Sequence, residues 1–179
     1  INNAAKTSFL SVGKEKVPIV IRLIIGRGWG QGPNHSQSLE VFFAHVPGLK
    51  VIAPTFPTDA KGMLINAIRD KNPVIMIEHR WCHYLKDNVP TKSYLEPLIG
   101  SKVVKKGKHF TIVCISYMVI EALIAASYLE KINVSLEVID LRVLRPLKID
   151  KIIKSVAKTR HLMTIDLGWK SFGIGAEIL

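Results

Sequence analysis

His35 is the first residue in this chain whose type and setting suggest chemistry. It lies in Pro33-Asn34-His35-Ser36-Gln37-Ser38, directly after the glycine-rich stretch Gly26-Arg27-Gly28-Trp29-Gly30-Gln31-Gly32. A histidine can give or take a proton near neutral pH, and glycines let a ligand approach the backbone closely. The same histidine could instead open a helix and hydrogen-bond Ser36 or the backbone, and the residue alone does not choose between the two. The loop has neither the GxxxxGK[ST] spacing of a phosphate loop nor the GxGxxG spacing of a dinucleotide site.

Three other groups carry reactive residue types. His79, Cys82 and His83 fall in Glu78-His79-Arg80-Trp81-Cys82-His83-Tyr84 and could ligate a metal. No glutamate sits inside the histidine pair and no further ligand follows at short spacing, so a solvated loop between domains is the better reading. Asp70 closes a helix in Ala67-Ile68-Arg69-Asp70-Lys71-Asn72-Pro73. The carbonyls that end a helix lack internal partners and could hold a hard cation, or the segment could simply be a helix end with Asn72 in a turn. On the residues alone the helix end is preferred. Asp140, Arg142 and Arg145 follow a strand and read as an ion pair.

Bulk composition narrows the classes. The chain has 179 residues, 48% of them hydrophobic, which suits one ordinary domain or two small ones. No apolar run reaches the ~18 residues of a membrane span. Two cysteines give no disulfide framework; Cys114, in an apolar run, reads as a buried free thiol, which fits a reducing compartment. The formal net charge is +11. The lysines are scattered, however, and the densest group (Lys102, Lys105, Lys106 and Lys108 around Gly107) has no interleaved aromatic residues. Solvated lysines, or a basic face for an acidic protein partner, are therefore preferred to nucleic-acid binding. The sequence starts at Ile1 without a charged-then-apolar leader, which suggests a fragment or a processed chain.

The elements that must position these residues alternate. Helical spacing covers 3–11, and a β-branched run at 17–25 reads as a buried strand. A helix over 36–45, a strand at 50–53, a helix over 59–70 capped by Thr58, and a strand at 74–78 follow. From His79 to Gly100 the pattern fails among prolines and turn residues. A second alternation then begins. It places strands at 108–115, 136–140 and 162–166, helices at 118–129 and 149–158, a glycine-rich turn over 168–175, and a helix starting at Ala176. This order argues for parallel sheets with helices on their faces, in an α/β chain divided as 1–80, a linker 81–100, and 101–179.

A series of segments then becomes recognisable. Asn3-Ala4-Ala5-Lys6, Val17-Pro18-Ile19-Val20-Ile21-Arg22, His35-Ser36-Gln37-Ser38, Pro47-Gly48-Leu49-Lys50-Val51 and the Ala67-to-Pro73 segment are the first part. Val138-Ile139-Asp140-Leu141-Arg142, Arg145-Pro146, Gly168-Trp169 and Gly173-Ile174-Gly175-Ala176-Glu177 are the second. In this order, over essentially the whole chain, they resemble the β subunit of thiamine-diphosphate-dependent 2-oxoacid dehydrogenases, the pyruvate and branched-chain types. The resemblance implies the end of a parallel-sheet pyrimidine-binding (thiamine-diphosphate-binding) domain followed by an incomplete transketolase C-terminal-type α/β domain.

It also implies a function. Thiamine diphosphate would lie between this chain and an α subunit of an α₂β₂ heterotetramer, with Mg²⁺ held on the α side. His35 would be the catalytic residue, and the acyl group would pass to a lipoyl-bearing dihydrolipoyl acyltransferase. A structural K⁺ would be held by Ile19, Ala67, Ile68, Asp70 and Asn72, so that the resemblance favours a cation site where the residues alone favour a plain helix end. The glutamate that activates the cofactor ring would lie upstream of Ile1, so no cofactor-binding residue is identifiable here and the chain alone should be inactive. The segment that docks the acyltransferase core would lie beyond Leu179. Neither nucleic acid nor membrane is implied. The compartment would be the bacterial cytoplasm or, alternatively, the mitochondrial matrix.

Departures from the family pattern are Asn34 for a glutamine, Asp166 for a glutamate and Lys170 for a proline, together with the stretch from His79 to Tyr94 and an arginine- and tryptophan-bearing glycine loop that could alter substrate access. Ser38, Glu40 and Phe42-Phe43-Ala44-His45 lean toward branched-chain members, Arg145-Pro146 and Gly168-Trp169 toward pyruvate members, and acetoin-cleaving relatives share parts of both. Two other readings stand beside this one: a transketolase or deoxyxylulose-phosphate synthase relative, and a non-catalytic assembly subunit.

Overall fold

The computed structural model describes residues 1–26 and 30–179; Arg27, Gly28 and Trp29 of the glycine loop, and the substrate access expected of them, lie outside the described residues. After helix α1 (Asn2–Leu10), the first half of the chain forms β1 (Val20–Ile25), α2 (Glu40–Ala44), β2 (Lys50–Ile52), α3 (Pro57–Arg69) and β3 (Val74–His79). The second half forms β4 (Lys102–Lys105), β5 (Phe110–Cys114), α4 (Met118–Glu130), β6 (Leu136–Asp140), β7 (Val143–Arg145), α5 (Asp150–Thr159), β8 (Leu162–Ile165) and α6 (Ile174–Ile178).

The strands make two four-stranded sheets, ordered β1-β3-β2-β7 and β4-β6-β5-β8. In each sheet the central pairings are parallel: β1 and β2 on β3, and β6 and β8 on β5. Each sheet ends in one antiparallel edge, β7 on β2 and β4 on β6. Every residue of β3 and of β6 is buried. That is the physical reason these two segments are mostly apolar without strict alternation, because a parallel strand covered on both faces has no solvent side.

Helix α3 turns Met63 and Ala67 onto Ile52, Met76 and Val143, and α4 turns Val119, Ala122 and Ala126 onto Ile112, Cys114 and Val138. Val51, Ile75 and Ile77 of the first sheet lie in the same buried cluster as Val113, Ile139 and Leu141 of the second. The two sheets therefore share a core. The chain crosses between them at Leu141-Arg142, where Arg142 takes a φ of +35°. Its carbonyl accepts the N–H of Ala53 at 2.8 Å and ties the crossing to the end of β2.

The structure corrects several local expectations. The helix expected over 36–45 is a 3₁₀ turn at Pro33–His35 followed by the short α2, because the Gln37 carbonyl is taken by the N–H of Gly26 instead of continuing a helix. Thr58 is not a cap: α3 starts at Pro57, whose fixed φ suits a first helical position, and the Thr58 hydroxyl donates to Asp87 Oδ2 at 2.8 Å. Part of the basic cluster forms strand β4, and Gly107 lies so close to the Leu136–Glu137 backbone that a Cβ there would meet it at 2.1 Å. His79 is no loop residue; it ends β3 at 1% exposure. Cys114 is a buried free thiol, as its apolar surroundings require.

Candidate active site

The 3₁₀ turn carries His35 to the rim of a cleft of about 380 Å³ at the carboxyl ends of the parallel pair β1 and β3. Open parallel sheets place their ligands at this end of the strands. Leu23 and Ile25 of β1, Ile77 of β3 and Phe43 of α2 make the apolar wall; Gln31, Asn34, His35, Gln37 and Arg80 make the polar rim. His35 itself is exposed, held by a turn whose proline presets the backbone. An imidazole at the mouth of an apolar cleft, with a guanidinium beside it, can move a proton while the cation attracts an anionic substrate. No carboxylate is among the described residues that line this cleft. The described residues also contain no group of three His, Cys, Asp or Glu side chains able to hold a metal ion.

Next to it, the strand end of β3 builds a second cluster that sequence reasoning missed. The Nδ1 atom of His79 accepts the backbone N–H of Trp81 at 3.2 Å, which leaves the proton on Nε2. The ring stacks on Tyr117 at 5.3 Å and meets the edge of Trp81 at 5.6 Å. Burial, helped by His83, brings the His79 pKa down to about 4, so the ring is neutral at physiological pH. Glu78 takes both Nε and Nη2 of Arg22, at 2.6 and 2.8 Å, and the Nε2 of His83 at 3.0 Å. Burial alone would raise the Glu78 carboxyl, but these hydrogen bonds outweigh it and hold it below its ordinary value. His79, Cys82 and His83 are thereby given to separate tasks: a ring stack, a contact of the Cys82 thiol with the Ser116 hydroxyl at 3.9 Å, and a hydrogen bond to Glu78. The only available signal for a buried His79 was that it continues the apolar run of β3.

Ile19, Ala67, Ile68, Asp70 and Asn72 meet at one corner, where α3 ends and β1 and β3 begin. The Ile19 carbonyl accepts the Val74 N–H at 2.9 Å, and the Ala67 carbonyl accepts the Asp70 N–H at 3.1 Å. Each oxygen keeps a second lone pair. Asp70 Oδ1 accepts both the backbone and the side-chain N–H of Asn72 at 2.9 Å, and Asp70 Oδ2 takes the Lys50 ammonium. These donors outweigh burial and keep the Asp70 carboxyl below its ordinary value. The corner suits a hard cation through its carbonyl oxygens, although Lys50 already supplies one positive charge to the carboxylate.

A third charged group lies in the seam between the sheets. Asp59, in the first turn of α3 and fully buried, takes Lys102 Nζ at 2.8 Å and Arg142 Nη1 at 3.0 Å, and the same Nη1 reaches Glu96 at 3.0 Å. Asp140 does not pair with the arginine side chains expected for it. Its Oδ1 accepts the backbone N–H of Arg142 at 3.0 Å, while Arg145 Nη1 donates to the Ala44 carbonyl. Burial pushes Asp140 up to about 7, with Asp59 adding to the effect.

Two stacked α/β layers sharing a core, with a histidine at the carboxyl ends of the first sheet, define the transketolase-type two-domain architecture. Residues 1–82 match the transketolase pyrimidine binding domain, and residues 100–179 match the transketolase C-terminal domain. A split-gene transketolase, described as an inactive β4 tetramer, shares the fold with a TM-score of 0.76 at 22% identity, over 99% of this chain and 58% of that one.

Within that architecture, the mitochondrial pyruvate dehydrogenase E1 component subunit β of Rattus norvegicus is 43% identical over 182 residues, and that of Caenorhabditis elegans is 44% identical over 182 residues. Acetoin:2,6-dichlorophenolindophenol oxidoreductase subunit β of Cupriavidus necator is 42% identical over 177 residues. Each match covers 99% of this chain and 51 to 52% of the relative, so the chain spans about half the length of these curated relatives. The chain belongs to the family of β subunits that includes the pyruvate dehydrogenase E1 component and the acetoin oxidoreductases. Among the described residues, no helix is long and apolar enough to cross a membrane.

Proposed function

We propose that this chain is the His35-bearing portion of a 2-oxoacid dehydrogenase β subunit. Paired with an α subunit in an α₂β₂ heterotetramer, it takes part in the thiamine-dependent oxidative decarboxylation of pyruvate or a related 2-oxoacid. The observation that carries this reading is the placement of His35, with Arg80, at the mouth of an apolar cleft at the carboxyl ends of β1 and β3. Thiamine diphosphate, when bound, supplies the electron sink that lets CO₂ leave a 2-oxoacid. The residues of this chain then have separate tasks. Arg80 draws the substrate carboxylate to the mouth. Leu23, Ile77 and Phe43 keep water from the cleft wall. His35 holds the proton that moves when the acyl group passes to the lipoyl arm of a dihydrolipoyl acyltransferase. The ring-activating glutamate and the magnesium and diphosphate clamp belong to other parts of the assembly.

Ile19, Ala67, Ile68, Asp70 and Asn72 hold a structural K⁺ that fixes the corner where α3 meets β1 and β3. Replacing K⁺ by Na⁺ should then lower the melting temperature of the full subunit, whereas identical melting in both salts would remove the ion from the account. The bacterial cytoplasm or the mitochondrial matrix is the compartment this role implies.

The test is co-expression of the full-length β subunit with its α subunit and measurement of CO₂ release from pyruvate and branched-chain 2-oxoacids, with and without thiamine diphosphate. Cofactor-dependent release is expected. No release from any 2-oxoacid would overturn the reading. The acetoin relative favours one second reading, cleavage of acetoin by the same site, and acetoin belongs in the same panel.

A further inference from the structure

The residues that follow His35 are buried against the second half of the chain in an unusual way. Glu40, the first residue of α2, is 1% exposed, and Ser38 is 7% exposed. Facing them is the turn after β8, where Asp166 Oδ1 accepts the N–H of Gly168 at 2.7 Å and Asp166 Oδ2 accepts the N–H of Gly175 at 3.1 Å. A Cβ on Gly168 would lie 3.2 Å from Asp166 Oδ1, 3.5 Å from Glu40 Oε1 and 3.7 Å from the Ser38 carbonyl. The space left by the missing side chain is therefore bordered by three oxygens, two of them carboxylate. Among the described residues, Glu40 Oε2 and Ser38 Oγ have no hydrogen-bond partner, and neither carboxylate is in an ion pair.

A buried, unpaired carboxylate next to a second one is costly to ionise, and a proton on Glu40 removes that cost. We infer that Glu40 stays protonated beside the Asp166 carboxylate, and that this acid–carboxylate arrangement is a positioning device that holds the His35 segment against the Gly168 turn of the second sheet. The inference rests, for its functional meaning, on His35 being the active residue.

The donors decide which carboxyl keeps the proton. Asp166 has two backbone N–H groups to stabilise its charge, whereas Glu40 has only its own. The proton therefore resides on Glu40, whose Oε1 borders the space beside Gly168 together with Asp166 Oδ1 and the Ser38 carbonyl. Burial first, and the Asp166 charge after it, raise the Glu40 pKa from its ordinary value, against the opposing pull of its own backbone N–H. Among the described residues, no basic side chain forms an ion pair with either carboxylate. From β8 the Thr164 hydroxyl faces Gly175, while Lys170 of the turn, Glu177 of α6 and His35 itself are solvent-exposed. The sign follows: a carboxyl whose folded pKa is raised contributes stability at and below its ordinary value, and that contribution is lost as pH rises through the folded value. Ionisation of Glu40 then puts two negative charges side by side and frees the segment that presents His35.

The test uses the full-length β subunit assembled with its α subunit. A ¹³C titration of the Glu40 carboxyl in the wild type is expected to have its midpoint above the ordinary value of 4.5. Amide hydrogen exchange over residues 33–40, corrected for the intrinsic pH dependence, is expected to speed up roughly tenfold per pH unit above that midpoint. Glu40→Gln, which keeps the shape and cannot ionise, should stay protected across the range from about pH 5 to about pH 9. Asp166→Asn should move the Glu40 midpoint back toward its ordinary value. An unshifted Glu40 midpoint, or the same pH response in wild type and Glu40→Gln, would overturn the pair. A shifted midpoint together with full acyl-transfer activity in His35→Ala would leave the pair standing and remove the role assigned to His35, so the two failures are distinguishable.

Discussion

The His35 rim and the inter-sheet seam are opposite solutions to placing polar groups in an α/β protein. At the rim, His35 is exposed, sits on a proline-led turn and borders a cleft with an apolar wall. In the seam, Asp59, Arg142 and Asp140 are all buried, and burial raises the Asp140 carboxyl to about 7. Perturbed titration is often a sign of function. Here the raised carboxyl of Asp140 lies in the seam, among none of the residues lining the described clefts, while the candidate chemistry sits at a residue that solvent reaches. The seam's charges hold the two halves in register so that the cleft at the rim has a fixed shape.

The sharpest way to break this contrast is to cut the seam. Arg142→Met leaves Asp59 with Lys102 alone and Glu96 without its buried partner, and should destabilise the subunit by about 3 kcal/mol, the usual cost of breaking a buried pair from one side. Chemical denaturation of the full subunit measures it, and a change near zero would mean that the seam is not structural.

A pH series gives the next effect. Asp140 is raised in the folded state, so its contribution is present below its ordinary carboxylate range and declines as pH rises through about 7. Asp140→Asn should flatten the fall in melting temperature between about pH 5 and about pH 8, and parallel curves for wild type and variant would contradict the burial argument. His79 has the reverse sign. Its pKa of about 4 makes the fold lose stability as pH falls from the ordinary histidine range toward that value, and a His79→Phe variant should lose that acid sensitivity.

The smallest effect belongs to the exposed edge of the second cluster. His83→Ala removes a partly exposed partner of Glu78, which keeps both hydrogen bonds to Arg22, and should cost at most about 1 kcal/mol. A larger loss would make His83 part of the core of the site.

How legible these regions were in the sequence depends on how local their causes are. β3 and β6 announce themselves as mostly apolar segments because both faces are covered, and α3 shows its stripe because Met63 and Ala67 recur at helical spacing. The ordered motif series made His35 a candidate before any geometry, since a turn, a glycine loop and a following helix are neighbours in the chain. The seam was hidden because its partners are distant: Arg142 meets Asp59 across 83 positions and Glu96 across 46. β4 was masked by its lysines, of which Lys102 pairs with buried Asp59 and Lys105 with Glu130 while the backbone pairs with β6. β7 is three residues long and pairs with β2 from the first half of the chain, a partner that no local pattern encodes. His79 was misjudged because a histidine reads as polar, whereas its hydrogen bond to Trp81 and its stack on Tyr117 make it part of the interior. Glu40 and Asp166 were visible only as residue types, because only the fold sets the two carboxylates on either side of Gly168.

The most direct test of the account is reductive acylation of a lipoyl domain by the assembled α and full-length β subunits, comparing wild type with His35→Ala. If His35 moves the proton for this transfer, the variant assembles normally and loses about 10²–10⁴-fold in acylation rate. An acylation rate equal to wild type in a correctly assembled His35→Ala complex would contradict the central claim.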